Sequence, residues 1–153
     1  MNRVSNKFQQ ALALLQPLAD MPDWGIGGSL LLVEQQLQQD FRDIDLVCTE
    51  AAFVAVDRVL SAIATPLDMT PHPQYCSRYF RRYQHASGLV IELMAGIAVR
   101  KSSGLLQYWR FDATTARLQY GLRWMTLEDW LVLYQLFERP EKVALLQAAL
   151  TQD

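Results

Sequence analysis

The sequence predicts a fold that mixes helices and strands, of the α+β or mixed α/β class, in one domain covering residues 1–153. Apolar residues recur at helical spacing near both ends of the chain, which indicates amphipathic helices there. Short apolar segments separated by glycine-, serine- and proline-containing turns occupy the middle and indicate strands. A chain of 153 residues is long enough to bury one ordinary core. The sequence contains no internal repeat or linker that would divide it.

The first half of the chain is predicted to alternate helices with short strands. Phe8, Leu12 and Leu15 share one face of a first helix, which Pro17 ends because proline lacks the amide hydrogen that a helix interior needs. The elements predicted next are a strand at 24–27, a helix at 29–37, a strand at 43–49 and a helix at 50–64.

The second half is predicted to be rich in strands and to end in two helices. After a loop at 65–77, strands are expected at 78–85, 89–94 and 97–100, and another around 116–124. Thr126 is placed to cap the next helix, and Pro140 is placed to begin the last one.

Composition and charge argue against several classes of protein. The chain is 51% hydrophobic and 20% charged, with a net charge of −2 at pH 7, which is typical of a globular domain and not of a general nucleic-acid binder. No window approaches eighteen uncharged apolar residues, and the N-terminus lacks the apolar core of a secretory signal. We therefore expect no membrane span and a cytoplasmic protein. Cys48 and Cys76 are too few for a disulfide framework or a zinc quartet.

One basic segment leaves an alternative open. Arg78, Arg81 and Arg82 lie among aromatic residues, a pattern that could bind nucleic acid. The same pattern is also that of an edge strand with two mixed faces, which we favour. In either case these arginines could line a cleft.

Three acidic residues are the strongest candidates for a site. Residues two apart on a strand project from the same face, so Asp43 and Asp45 would point together while Ile44 faces the core. Carboxylates held close together repel, and a divalent cation such as Mg²⁺, which prefers oxygen ligands, removes that conflict. Glu92 is the sole charge in the apolar run 89–94. It would complete a triad if its strand lies beside the first.

Each pattern has an ordinary structural explanation when it is taken alone. An Asp-x-Asp pair can be a solvated strand end, a lone glutamate in a strand can face water, and Gly27-Gly28-Ser29 is only a turn signal. Their order makes the combination more specific, because a turn that opens a helix presents backbone amides to anions beside the acidic strand.

These residues resemble the signature of the nucleotidyltransferase superfamily, which has the DNA polymerase β-like fold. In that family a Gly-Gly or Gly-Ser turn opens a helix, Asp-x-Asp follows on the next strand, and a later Asp or Glu lies on a neighbouring strand. Gly28-Ser29, Asp43-Ile44-Asp45 and Glu92 match in order and spacing. The segments 127–131 and 139–142 are similar to the Glu-Asp helix and the Arg-and-Lys segment of small bacterial members, of the minimal and lincosamide types. The resemblance implies a short mixed sheet flanked by helices, two of them C-terminal.

The resemblance implies an adenylyltransferase-type reaction. A nucleoside triphosphate, ATP or another, would give its nucleoside monophosphate to an acceptor hydroxyl, and Mg²⁺, as two ions, would hold the attacking and leaving oxygens in line. Asp43, Asp45 and Glu92 would be the catalytic carboxylates and the metal ligands. Glu92 is also the candidate to take the proton from the hydroxyl.

The resemblance also implies which residues bind the nucleotide. Backbone N–H groups at Gly28-Ser29 and the hydroxyl of Ser29 would bind the β- and γ-phosphates, and Gly27 belongs to the same nucleotide-binding turn. Arg42, directly before the aspartates, could neutralise the triphosphate, although an exposed loop arginine is an equal interpretation.

The chain departs from similar family members in two places. Tyr134 stands where they commonly carry a lysine, and Val143 where they tend to carry an aspartate.

The sequence does not identify the acceptor of the nucleotide. The acceptor would be a small hydroxyl compound or a partner protein, and a homodimer could supply the wall of the acceptor site that a short chain lacks. Two alternatives are an interaction protein, similar to an antitoxin-like partner of a helical protein, and a nucleotide-binding relic without turnover.

Overall fold

A computed structural model describes residues 3–69, 72 and 74–151. The first half contains α1 (Arg3–Leu14), a 3₁₀ turn (Gln16–Leu18), β1 (Trp24–Gly27), α2 (Gly28–Glu34), β2 (Ile44–Cys48), α3 (Phe53–Ile63) and β3 (Thr65–Pro66). The second half contains β4 (Tyr79–Gln84), β5 (Val90–Ala95), β6 (Ile97–Arg100), β7 (Leu106–Trp109), a 3₁₀ turn (Ala113–Thr115), β8 (Arg117–Gln119), β9 (Leu122–Trp124), α4 (Leu127–Leu136) and α5 (Pro140–Leu150). The predicted α+β class is confirmed.

The strands form a mixed sheet with the predicted acidic strands at its centre. Within the described residues seven strands pair in the order β3-β4-β5-β2-β1-β9-β8, and β6 pairs separately with β7. The pairs β2–β5 and β1–β9 are parallel, and the other pairs are antiparallel. Because β2 and β5 are adjacent and parallel, residues from two distant parts of the chain lie side by side.

The two faces of the sheet are covered by different helices. On one face, Asp57 of α3 accepts hydrogen bonds from Tyr83 Oη at 2.5 Å and from Arg81 Nη1 at 3.2 Å. On the other face, α4 lies so close to β1 that a Cβ added to Gly27 would meet the Trp130 indole at 1.9 Å. Since side chains alternate along a strand, the residues that share Gly27's face lie under α4.

The core lies mainly on the face opposite α4. Trp24, Ile26, Ile44 and Leu46 are completely buried there, together with residues of α1 and α2. Trp24 illustrates how a polar group is accommodated, because its indole nitrogen donates to the carbonyl of Met21 at 2.8 Å.

Two helices are shorter than the sequence predicted. α2 ends at Glu34 and not at residue 37, because Gln36 adopts a positive φ of 62° and breaks the helical path. α3 begins at Phe53 and not at residue 50, because a turn intervenes in which the Ala52 amide donates to the Thr49 hydroxyl at 3.2 Å.

The region 102–125 differs most from prediction. One strand was expected around 116–124, but β8 and β9 form a hairpin whose turn residues Tyr120 and Gly121 have φ values of 56° and 73°. The strand β7 was not predicted.

The helices in the described part of the chain are too short or too polar to span a membrane.

Candidate active site

The central strand pair brings Asp45 and Glu92 together. The two residues are direct partners in the parallel register of β2 and β5, and their carboxyl groups are in hydrogen-bond contact. Asp43 lies one residue before β2, close enough for its charge to act on Asp45. The structure therefore brings Asp45 and Glu92 together, and Asp43 lies within electrostatic range of Asp45.

The acidic residues are in electrostatic conflict. Burial raises the pKa of Asp45 well above its usual range, and the charge of Glu92, the contact with Glu92 and the charge of Asp43 raise it further. The charge of Arg139 acts in the opposite direction and lowers it. Two carboxyl groups can hydrogen-bond only if one keeps a proton. A cation bound here would remove that requirement.

The glycine turn lies directly against Asp45. Gly28 has a φ of 56°, and a Cβ at this position would lie 1.9 Å from Asp45 Oδ2. Gly27 is equally confined by the Trp130 indole. The turn from β1 into α2 can therefore pass beside the carboxylate only because both residues lack side chains.

Ser29 connects this turn to the segment before β2. Its hydroxyl accepts a hydrogen bond from the Arg42 amide at 3.3 Å and donates a longer one to the Asp43 carbonyl at 3.5 Å. Ser29 does not cap α2. It lies where it was predicted, but its hydroxyl holds the backbone that carries Asp43. The Arg42 side chain is exposed.

Arg82 contacts Glu92 from the other neighbouring strand. Arg82 is the cross-strand partner of Glu92 on β4, and its Nε lies 3.1 Å from Glu92 Oε2. The pair is an ion pair without hydrogen-bond geometry, because Arg82 Nε is buried and has no hydrogen-bond partner among the described residues. Glu92 therefore lies between a carboxyl group and a guanidinium.

The donor set fits a hard divalent cation such as Mg²⁺. It offers only oxygen ligands, carries excess negative charge and includes a partly buried carboxyl whose pKa is raised. Within residues 3–69, 72 and 74–151, no three His, Cys, Asp or Glu side chains are already arranged as a metal cluster. Asp45 and Glu92 would hold the ion, and Asp43 would complete the set.

The fold matches that of known nucleotidyltransferases. Neither a protein-family model nor a curated protein matches the sequence. Among solved structures, the Thermotoga maritima protein TM1012, provisionally assigned as a nucleotidyltransferase, matches with a TM-score of 0.69 and 21% identity over 100% of this chain and 97% of that chain. ANT(2")-Ia, in complex with adenylyl-2"-tobramycin, matches with a TM-score of 0.60 and 10% identity over 95% and 90% of the two chains. The chain has the nucleotidyltransferase fold.

In this nucleotidyltransferase fold an aromatic cleft adjoins the acidic residues, which sequence reasoning did not predict. The cleft has a volume of about 140 Å³, and besides Asp45 and Glu92 it is lined by Tyr75, Phe80, Met94, Trp130, Tyr134, Phe137 and Arg139. Tyr134 was noted only as a departure from the family pattern. Tyr75 lies in the proline-containing loop, where no sequence signal marked it.

The pKa values of both tyrosines in the cleft are raised. Burial raises the pKa of Tyr134, and the charge of Asp45 raises it further. Burial also raises the pKa of Tyr75, as do the charges of Glu92 and Asp45. Both phenols therefore remain neutral hydrogen-bond donors at physiological pH.

The segment between α4 and α5 places Arg139 at the cleft. The Phe137 carbonyl accepts from Gln74 Nε2 at 2.9 Å, and the Glu138 carboxylate accepts from the Ser102 hydroxyl at 2.7 Å. Arg139 Nε donates to Glu141 at 3.2 Å. Sequence similarity pointed to this segment, but only the fold shows that its arginine acts on Asp45.

Proposed function

We propose that this protein catalyses Mg²⁺-dependent transfer of a nucleoside monophosphate from a nucleoside triphosphate to an acceptor hydroxyl. The observation that carries the proposal is the Asp45–Glu92 pair, with Asp43 beside it and the Gly27-Gly28 turn against it. Partly buried carboxylates that repel one another destabilise a fold unless they bind something that compensates them. A nucleotide–metal complex supplies that compensation.

The proposed reaction is an in-line displacement. The hydroxyl oxygen of the acceptor attacks the α-phosphorus of the triphosphate, the bond from that phosphorus to the bridging oxygen of the β-phosphate breaks, and pyrophosphate leaves. Glu92 accepts the proton of the hydroxyl. When bound, Mg²⁺ neutralises the phosphate charge and holds the reacting oxygens.

The triphosphate would lie along the β1–α2 turn. The backbone N–H groups of Gly27 and Gly28 would approach its oxygens, because neither residue carries a side chain that would keep the anion away. Ser29 and Arg42 would add a hydroxyl and a cation. Arg139, whose charge already reaches Asp45, is a further candidate to neutralise the phosphates.

ATP is the nucleotide that we propose first. ANT(2")-Ia, which shares the fold, is bound to an adenylylated product. The aromatic cleft of about 140 Å³ is smaller than a typical small-molecule site of roughly 300–1,000 Å³. We therefore expect it to hold only part of the nucleotide, with the phosphates outside it on the carboxylates and the turn.

A binding experiment tests the proposal. Calorimetric titration of a non-hydrolysable ATP analogue should show binding that requires Mg²⁺ and is weakened at least about tenfold by Asp45→Asn, which removes one charge while keeping the shape. Asp68→Asn is the matched control, because Asp68 is exposed and remote in sequence from the acidic strands. Equal, metal-independent binding by all three proteins would refute the metal assignment.

Turnover is tested separately. Radiolabelled ATP is incubated with Mg²⁺, the protein and a panel of hydroxyl compounds, including aminoglycosides and lincosamides. The expected result is labelled product together with released pyrophosphate, absent with Asp45→Asn and retained with Asp68→Asn.

A further inference from the structure

A cavity larger than the aromatic cleft lies at the carboxyl ends of β2 and β5. Its volume is about 700 Å³, within the range of small-molecule sites. It opens between the segments 48–51 and 108–111, with Arg78 and Gly96 in its wall. None of these residues belongs to the nucleotide-binding set described above.

The cavity adjoins the face of the sheet that carries the carboxylates. A Cβ added to Gly25 would lie 3.4 Å from the Phe111 ring, and Gly25 and Gly27 project from the same face of β1. Phe111, which lines the cavity, therefore covers the same face as Asp45. Cys48, at the cavity, is three residues beyond Asp45, which corresponds to about 10 Å along the strand.

The cavity wall combines cations with aromatic rings. Arg78 and Arg110 contribute two positive charges, and Glu50 contributes one negative charge. Tyr108, 74% exposed, and the partly buried Trp109 offer aromatic surface that a rigid planar ligand could cover. The excess charge favours an anionic group on that ligand.

Arg78 is held in place with donors to spare. Gly96 has a φ of 60°, and a Cβ there would lie 2.9 Å from Arg78 Cβ and 3.1 Å from Glu50 Cδ, so the glycine lets these two residues meet. Arg78 Nη1 donates to Glu50 at 3.1 Å. This is the one hydrogen bond that the guanidinium makes within the described residues, and a guanidinium has five N–H donors.

Arg110 is the second arginine in the cavity wall. It is exposed, and its guanidinium makes no hydrogen bond or ion pair with any residue in the described part of the chain. Two arginines in the wall of one cavity suit a carboxylate or sulfonate, which accepts paired N–H donors.

We propose that this cavity binds the acceptor, and that the acceptor is a planar organic anion of about two-ring size with a hydroxyl at its far end. The anionic group binds Arg78 and Arg110, the rings lie against Tyr108 and Trp109, and the hydroxyl is directed along β5, past Gly96 and Met94, towards Glu92. The proposal rests on the proposed function, since the hydroxyl oxygen attacks the α-phosphorus in the step already described, with pyrophosphate as the leaving group and Glu92 as the proton acceptor.

Binding is tested without turnover. Isothermal titration calorimetry compares 6-hydroxy-2-naphthoate with its neutral analogue 6-hydroxy-2-naphthamide, on wild type, Arg110→Gln, the double variant Arg78→Gln/Arg110→Gln and the control Arg58→Gln. Arg58 is an exposed arginine on α3, which covers the other face of the sheet. We expect the acid to bind at least about tenfold more tightly than the amide, and the double variant to lose that preference.

Three results would overturn the proposal. They are equal binding of acid and amide by wild type, unchanged preference in the double variant, and an equal loss in Arg58→Gln. Thermal melting of each variant shows whether it is folded, and Arg110→Gln alone, at an exposed residue, tests the site if the double variant does not fold.

A second measurement separates this proposal from the proposed function. This measurement is the transfer of label from radiolabelled ATP to the naphthoate and to other hydroxyl compounds in the presence of Mg²⁺, for wild type and the double variant. If wild type binds the naphthoate and transfers nucleotide to it, both stand. If it binds the naphthoate but transfers nucleotide to no hydroxyl compound, the proposed function fails and the acceptor role fails with it. If transfer to other hydroxyl compounds proceeds equally in the double variant, the acceptor role alone fails.

Discussion

A carboxyl group held beside two others behaves unlike an ordinary aspartate, and Asp45 is in that position. Its charged form is disfavoured by burial and by both neighbours, so the folded protein holds a proton that the unfolded chain would release. The proton can leave without cost to the fold only when a cation replaces it. The difference in the pH dependence of stability between wild type and an Asp45 variant therefore reports on this residue.

We predict that metal-free protein loses stability as the pH rises. The pKa of Asp45 is raised in the folded state above its ordinary value of 3.8, so its contribution is full below that value and is lost as the pH climbs through the raised pKa. Thermal melting in EDTA between about pH 4 and pH 8 should show this decline in wild type and a smaller one in Asp45→Asn. Added Mg²⁺ should restore the wild-type melting temperature at high pH and leave the variant unchanged. A wild type as insensitive as the variant would contradict the prediction.

Gly28→Ala should impair both the fold and nucleotide binding. The positive φ alone costs about 1–2 kcal/mol for a residue with a Cβ, and that Cβ would displace the Asp45 carboxylate. Urea denaturation gives the stability, and the calorimetric titration described above gives the binding. Gly88→Ala is the control, because Gly88 also has a positive φ, of 94°, but a Cβ there would meet nothing within 4 Å. It should lose stability and keep binding.

At the scale of single elements, α4 links helix capping to the site. Thr126 accepts a hydrogen bond from the Asp129 amide at 3.1 Å, and the helix that it caps carries Trp130 and Tyr134 into the aromatic cleft. The cap was predicted from sequence and is confirmed, since threonine before acidic residues is a local signal.

Thr126→Ala should destabilise the protein by about 1 kcal/mol, because the first turn of α4 loses its side-chain acceptor. Thr126→Ser, which keeps the hydroxyl, should recover most of that loss. Chemical denaturation of wild type and the two variants measures their free energies of unfolding. Equal losses of stability for alanine and serine would show that the hydroxyl cap is not the cause.

Local signals account for what could and could not be predicted. Pro140 marked the start of α5, and short runs of mainly apolar residues marked β2 and β5. The hairpin of β8 and β9 escaped because Tyr120, an ordinary residue, adopts a positive φ that no local rule assigns to tyrosine. The convergence of Asp45 with Glu92 was predicted from a family pattern, since pairing between distant strands leaves little mark in local sequence. The roles of the acidic residues stay predictions.

At the scale of the whole molecule, long-range pairs hold the sheet to its helices. Glu34 at the end of α2 is 6% exposed in its side chain and is paired with Arg117 of β8, whose Nη1 donates at 2.9 Å. This contact links α2 to the hairpin of β8 and β9 at the edge of the sheet. β9 pairs with β1, the strand that leads into the glycine turn. The single-domain and homodimer predictions stay predictions.

Removing one partner of this pair should cost more than removing both. Arg117→Met leaves the carboxylate of Glu34 without its cation, and we expect a loss of about 1–2 kcal/mol, less than for a fully buried pair because Arg117 is 38% exposed. The double variant Glu34→Gln/Arg117→Met should be more stable than Arg117→Met alone. Urea denaturation of the full double-mutant cycle measures the coupling, and strict additivity would refute it.

The parallel pairing of β2 with β5 has a consequence for the newly made chain. The two acidic residues belong to strands separated along the chain by α3, β3 and β4, so they meet only when the central strands assemble. No fragment ending before β5 possesses the pair. Under the proposed function, we therefore expect a ribosome-bound or partly refolded chain that lacks this pairing to transfer no nucleotide.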